Sequence, residues 1–422
     1  MLSARRARPP RTSAHARGVV GAVAAAVLLA GCTSTVEGTA SPARTSGAPD
    51  PSSSSAPSTS AAPTGDVTPA PQIGPGTGAE ARRIAAVTSL PQTVRPDRTG
   101  SCFPTGPFGS ASGVDALYFG DGRVEQELDR WGFVAGWGTC GQDAANNGTL
   151  VLVAEMSDPD SAAAAAEALT AISLDYGSGD QEPVDLPALG ASGALRTGGS
   201  DSAGSPTDTV DVWVPTGRML VYTYLDAPSG TAPDLVVAQV QDQLALLQGF
   251  QPTPQAQVPD LPTDPLGLGP FALTTPGDPT RFTGSYDLEG YLRLAIDPTV
   301  ERTLLTGNGF GGAFYRTTYD EDAQLDYAVS LYTFPTSAQT NAVYTGFAQL
   351  EATAFGGTPF VLPAIPEAPC FVFENAPGNF AQRCYVGYGS YLASLDIQSL
   401  DAADDYTQMN ALLPQQRDLI DG

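Results

Sequence analysis

The sequence has no lysine. All 20 of its basic residues are arginine, set against 45 acidic residues in a chain of 422. Its one histidine, His15, lies within the first thirty residues. If that segment is cleaved on export, the mature chain holds neither His nor Lys. Ser-His-Asp and Cys-His sites, histidine metal centres and Schiff-base lysines are then excluded. The apolar run at residues 18–30 is too short for a comfortable membrane span, which needs about 20 residues. The acidity argues against nucleic acid as a partner, because such a surface repels phosphate backbones.

The N-terminus carries the sharpest signal. Residues 1–17 hold Arg5, Arg6, Arg8, Arg11 and Arg17 and no acid, and a run of Gly, Ala, Val and Leu follows. These are the n-region and h-region of a secretory signal, here residues 1–31. The run ends in Leu29-Ala30-Gly31-Cys32, the order of a bacterial lipobox, which marks Cys32 for lipidation. Each buried methylene contributes about 0.8 kcal/mol, and stable anchoring takes more than one chain. Loss of residues 1–31 moves the formal net charge from −25 to −30. The expected location is the outer face of the cytoplasmic membrane, in the cell envelope. The acidic body would stand off anionic head groups.

Residues 32–77 comprise Cys32 and a stretch of Ser, Thr, Pro, Ala and Gly with few large aliphatic residues. Such a stretch cannot bury a core and is expected to be a disordered tether. The rest divides into a first domain (78–250), a Pro-rich connector (251–270) and a second domain (271–422). The domains echo each other. Val124-Glu125 matches Val300-Glu301, and Gly132-Phe133 matches Gly309-Phe310. Pro159-Asp160-Ser161-Ala162 matches Pro335-Thr336-Ser337-Ala338, and Gly217-Arg218-Met219-Leu220 matches Gly389-Ser390-Tyr391-Leu392. The first three offsets are 176 or 177 and the last is 172, periods that mean duplicated domains rather than a solenoid.

Hydrophobic patterning predicts, in the first half, helices at 124–130, 158–174 and 232–248. Strands are predicted at 133–139, 150–156, 210–214 and 219–225. In the second half it predicts strands at 312–318, 327–333, 370–374, 384–388 and 391–396, with helices at 337–353 and 401–413. Hairpins plus helices give an α+β class: two duplicated domains, each an antiparallel sheet with helices on one face.

Four cysteines remain after Cys32: Cys102, Cys140, Cys370 and Cys384. In an exported protein they read as disulfides with three possible pairings. The duplication favours one bond per half, Cys102–Cys140 and Cys370–Cys384. A catalytic thiol would have no His or Lys to lower its pKa.

Chemistry is left to carboxylates, Tyr, Ser and Arg. A carboxylate-pair glycosidase needs no histidine, but no spacing marks a pair. The acidic run Asp320, Glu321, Asp322 and Asp326 lacks a calcium-loop pattern and reads as a solvated hairpin tip. Trp131, Trp137, Trp213, Tyr222 and Tyr224 read as core before pocket. Arg196, Arg218, Arg293 and Arg316 read as paired or surface cations before anion ligands. No catalytic, cofactor-binding or metal-ligating residue is assigned, and no cofactor is expected.

With the lipobox, the Thr-Ser-Thr-Val-Glu-Gly-Thr-Ala-Ser-Pro stretch after Cys32, Gly-Phe-Val-Ala-Gly at 132–136 and Pro-Asp-Ser-Ala-Ala-Ala-Ala-Ala at 159–166 in view, the chain resembles a family. It is similar to the uncharacterised two-domain lipoproteins of mycolic-acid-bearing actinobacteria, over nearly the whole mature chain. That resemblance implies a lipid-anchored envelope protein and carries over no functional residue. The expected function is a non-catalytic binding module that holds an apolar or amphipathic envelope molecule between its halves. The alternatives are an interaction module that docks to another envelope protein and, last, a carboxylate-based hydrolase.

Overall fold

The computed structural model describes residues 74–102, 105–118, 120–176 and 180–422. The expected signal, Cys32 and all but the last residues of the expected tether lie outside them. The tether expected to run to residue 77 ends sooner, because helix α1 (Pro75–Ala85) already begins at Pro75. Proline suits the first helical turn, where its missing N–H has no partner to lose. Gly76 allows the close approach that follows, because a Cβ there would overlap the carbonyl of Val258 in the connector.

The first half runs β1 (Gly100–Ser101), β2 (Gly106–Phe108), α2 (Ala111–Tyr118), α3 (Arg123–Arg130), β3 (Phe133–Gln142), β4 (Gly148–Met156) and α4 (Pro159–Leu174). It continues through β5 (Glu182–Leu186), β6 (Ala191–Ser200), β7 (Pro206–Thr216), β8 (Met219–Pro228) and α5 (Ala232–Leu247). Its strands form one eight-stranded sheet, ordered β1-β3-β4-β8-β7-β6-β5 with β2 also on β3, and every pairing is antiparallel.

The second half repeats the plan. It runs β9 (Asp278–Pro279), β10 (Gly284–Tyr286), α6 (Leu288–Leu292), α7 (Pro298–Gly307), β11 (Gly312–Asp320), β12 (Leu325–Thr333) and α8 (Ser337–Thr353). Then come β13 (Thr358–Phe360), β14 (Cys370–Ala376), β15 (Asn379–Tyr388), β16 (Tyr391–Leu400) and α9 (Thr407–Asp421). The sheet order is β10-β11-β12-β16-β15-β14-β13, with β9 also on β11.

The α+β class with two antiparallel sheets holds. Helices, however, cover both faces of each sheet. Trp213 of β7 packs in one cluster with Ala165 and Leu169 of α4, whereas Val212 and Val214 of the same strand pack with Val236 and Val240 of α5. Alternate residues of a strand point to opposite faces, so α4 and α5 lie on opposite sides. The unbroken burial of β4 from Thr149 to Met156 has the same cause: neither face meets water. The last helix starts six residues later than the predicted 401, at Thr407, whose N–H is held by Asp405 Oδ1 at 3.1 Å. It runs on past Pro414, so Ile420 is buried.

Structure refines the internal alignment. Gly217 and Gly389 both adopt φ +55 in the β7–β8 and β15–β16 turns, which confirms their equivalence. Gly132 and Gly309 both leave a helix with φ near +70, at +72 and +69. Counting back 177 residues from that pair sets Leu128 with Leu305, both fully buried. It sets Val124 with Glu301, not with Val300, which is 40 % exposed. Likewise α4 and α8 are capped by Asp158 and Thr336, 178 apart, so the Pro-x-Ser-Ala echo is displaced by two residues from the true frame.

The halves share one core. Ala81, Ile84 and Ala85 of α1 cluster with Trp137 and Val153 of the first sheet and with Tyr286, Tyr291 and Leu292 of the second half. Trp137 meets Tyr286 edge-on at 6.1 Å. Buried polar ties lock the same boundary: Arg82 Nη1 donates to Thr283 O at 2.8 Å, and Arg293 Nε donates to Thr88 O at 2.5 Å. Among the described residues, no helix is long and apolar enough to cross a membrane.

Candidate functional site: a cleft ending in a buried charged chamber

A cleft of about 790 Å³ opens between the halves. Its first wall comes from Gln92, Pro96, Thr99 and the β3–β4 turn, including Gln142 and Asp143. Arg98, fully buried, stiffens that turn through Asp143 Oδ2 at 2.7 Å and through the carbonyl of Asn147. The second wall comes from the start of α7, the end of α8 and strands β14 to β16, with Ile296, Val300, Phe355 and Phe373 as its apolar part. The volume falls in the range of small-molecule sites.

Ile296, Phe355, Arg383 and Asp396 line both this cleft and a smaller chamber of about 60 Å³ behind it. The chamber lies between the second sheet and helices α7 and α8. Three carboxyls and one guanidinium meet there. Glu351 Oε1 accepts Arg383 Nη1 at 2.8 Å and the Tyr385 hydroxyl at 2.5 Å. Arg383 Nε is hydrogen-bonded to Asp396 Oδ1. Glu301 accepts the Tyr291 hydroxyl at 2.7 Å on one oxygen and the N–H of Ile296 at 3.0 Å on the other. Part of the Glu301 role is therefore local, since its carboxyl reaches back over the start of α7, which Asp297 caps.

Burial pushes the Glu301 carboxyl up to about 7, against the hydrogen bonds from Tyr291 and Asp297. Burial also raises Asp396, and Arg383 offsets this only in part. Burial opposes the charge on Arg383, but Asp396 and Glu351 outweigh it and hold the guanidinium protonated. Burial and the Glu351 carboxylate raise Tyr385, which stays a neutral donor.

The first half provides an internal comparison. Strand register sets Ser330, Ser394 and Tyr385 at the places of Leu152, Tyr222 and Trp213. It sets Arg383 and Asp396 at those of Asp211 and Tyr224. The helix frame sets Glu351 at Ser173, and the contacts agree: Trp213 Nε1 donates to Ser173 as Tyr385 donates to Glu351. One layer of the fold thus holds Val124, Leu152, Trp213 and Tyr222 in one half and Glu301, Ser330, Tyr385 and Ser394 in the other. The duplicate is more apolar here, with Val124 and Leu152 at the places of Glu301 and Ser330, and it carries no ion pair among the described residues, although Asp211 and Ser173 stay polar at the places of Arg383 and Glu351. Buried ion pairs rarely stabilise more than an apolar filling, so the chamber is a functional candidate on physical grounds.

The residues singled out in the sequence lie elsewhere. The four cysteines pair as Cys102–Cys140 and Cys370–Cys384, with Cα atoms 5.2 and 4.1 Å apart. Cys32 lies outside the described residues. Trp137, Trp213 and Tyr222 are buried core. Tyr224 hydrogen-bonds to Asp226, and Trp131 Nε1 donates to Glu127. Arg218 pairs with buried Glu155, Arg316 donates to the carbonyls of Ala272 and Gly269, and Arg196 reaches Thr209 Oγ1. Asp320 caps its own turn through Asp322 N and Ala323 N, each at 3.1 Å. No group of three or more His, Cys, Asp or Glu among the described residues is placed to hold a metal ion.

Sequence reasoning misses Glu301, Glu351, Arg383 and Asp396. The signal is present in the duplication. Aligning Val124-Glu125 with Val300-Glu301 puts glutamate on glutamate and hides a buried valine replaced by a carboxyl.

Comparison with known proteins gives a family match over part of the chain and no activity. Residues 67–263 match the family described as "Domain of unknown function (DUF7373) N-terminal", an uncharacterised domain that covers the first half and most of the connector. No curated protein matches the chain.

Proposed function

We propose that this protein is a lipid-anchored binding protein of the cell envelope whose ligand is an amphipathic molecule held between the two halves. One observation carries the reading: a cleft with walls from both halves shares Ile296, Phe355, Arg383 and Asp396 with a buried, charged chamber, where the first half has Val124, Leu152 and Trp213 beside Ser173 and Asp211 and no ion pair among the described residues. Ile296, Val300, Phe355 and Phe373 offer an apolar wall outside, and the chamber offers polar groups inside. A molecule with a polar end and an apolar body matches that order.

Holding is favoured over turnover by the state of the carboxyls. Glu301 is tied to two backbone N–H groups, and Glu351 and Asp396 are tied to one guanidinium. A glycosidase acid and its partner must instead face a bond and a water from opposite sides. Export and anchoring rest on the arginine-rich start, the apolar run and Leu29-Ala30-Gly31-Cys32. Cys32→Ser is expected to move the protein from the membrane fraction to the soluble fraction.

Native mass spectrometry of soluble 33–422, exported by a bacterial host and compared with its denatured mass, tests the ligand. A non-covalent mass lost on denaturation supports a binding protein and weighs its ligand. A bare mass from soluble 33–422, both as exported and again after incubation with an envelope lipid extract, overturns the reading.

A further inference from the structure

We propose that the chamber receives a hydroxyl-bearing end group, such as the sugar or polyol head of an amphiphile, and not an anionic or a cationic one. This deepens the binding reading above and rests on it.

The chamber asks for a donor. Glu351 is 1 % exposed, and its Oε2 has no hydrogen-bond partner among the described residues, although Oε1 has two. A buried carboxyl oxygen left without a partner is costly, so water or a ligand donor completes it. The space of about 60 Å³ admits a small polar group such as a hydroxymethyl arm or a pair of neighbouring hydroxyls.

Charge rules out the alternatives. A phosphate or carboxylate would find Arg383 Nε already held by Asp396 and Nη1 already held by Glu351, and would lie against those two carboxyl groups. An ammonium seeking Glu351 would lie beside Arg383, whose Nη1 is 2.8 Å from the same carboxyl, and would meet its positive charge. A hydroxyl carries no net charge and both donates and accepts. That matches Ser330, Ser394 and Tyr332, whose hydroxyls do the same. The rings of Tyr332, Phe347 and Tyr385, in sequence 5.6 and 5.8 Å apart, supply the apolar flank that the C–H face of a sugar prefers.

Probes with one tail and different heads separate this inference from the reading beneath it. Calorimetric titration of soluble 33–422 would use octyl β-glucoside, octanoate and octylammonium, each below its micelle concentration. The glucoside is expected to bind at least tenfold more tightly than either ion. Glu351→Gln is expected to weaken it about tenfold. Ser330→Leu, which installs the side chain the first half carries at this place, should abolish the preference while the protein stays folded by circular dichroism. Equal binding of all three heads, or tighter binding of an ion, overturns the polyol inference and leaves the cleft reading standing. Glucoside binding that neither variant alters also overturns it. No binding of any probe overturns both.

Discussion

Glu301 makes a prediction that can be worked through from its surroundings. Its carboxyl is 3 % exposed and is raised to about 7 from an ordinary value of 4.5, chiefly by burial. Between those values the folded chain binds a proton that the unfolded chain releases, so stability falls as pH rises through this window. Below about 4.5 both states hold the proton and the loss is absent. Above about 7 both have released it and the loss is complete. A shift of this size corresponds to about 3 kcal/mol between pH 4 and pH 8. Glu301→Gln keeps an oxygen for the N–H of Ile296 and Asp297 and cannot ionise. Thermal unfolding of both proteins at pH 5 and pH 8 is the assay. The wild type should lose more stability than the variant over that range, by roughly 5 °C in Tm. Asp211, which burial raises to about 6, and Asp396, also raised, contribute in the same direction to both proteins and cancel in the comparison. An equal pH dependence in the two proteins would refute the reasoning, since Glu301 would then ionise in the folded state as easily as in the unfolded chain.

Other predictions follow from the crosslinks and from the boundary between the halves. Replacing Cys370 and Cys384 by serine opens a loop of separation 14 and should cost about 3 kcal/mol in urea unfolding. The Cys102–Cys140 pair, with separation 38, should cost about 4 kcal/mol. Equal or smaller losses for the longer loop would count against a loop-entropy origin. Gly284→Ala should loosen the contact between α1 and the second half, because the new Cβ would strike the Arg82 guanidinium and φ there is +148. Hydrogen exchange at 75–90 should then quicken while the amides of β7 and β8 keep their protection.

Much of the fold is legible because its signals are local. The caps at Asp158 and Thr336 and the turns at Gly217 and Gly389 are set by residues a few positions apart. Strands β4 and β8 carry continuous β-forming runs at Leu150-Val151-Leu152-Val153 and Leu220-Val221-Tyr222-Thr223-Tyr224-Leu225. Strand β6 escapes a sequence reading because Ala191–Ser200 is poor in β-branched residues and is held by pairing with β7 rather than by its own preference. Helix α1 escapes it too, because Pro75-Gly76-Thr77-Gly78 reads as a breaker in isolation. It is stabilised by burial against the other half. The covering of both sheet faces departs from the expected one-face packing, although the unbroken apolar run Leu150-Val151-Leu152-Val153-Ala154 carries its signal.

The candidate site is far less legible. Glu301, Glu351, Arg383 and Asp396 come from two helices and two strands and share no motif spacing. The sequence alone determined the acidic, lysine-free composition, the duplication and the two-sheet α+β class, because composition, periodicity and repeats are properties of the chain itself. Only the tertiary structure decided that these four side chains surround one chamber, that this chamber borders a cleft shared by both halves, and that the first half has Val124, Leu152 and Trp213 in the same place. Burial and charge proximity depend on which distant segments meet, and no local pattern records that meeting.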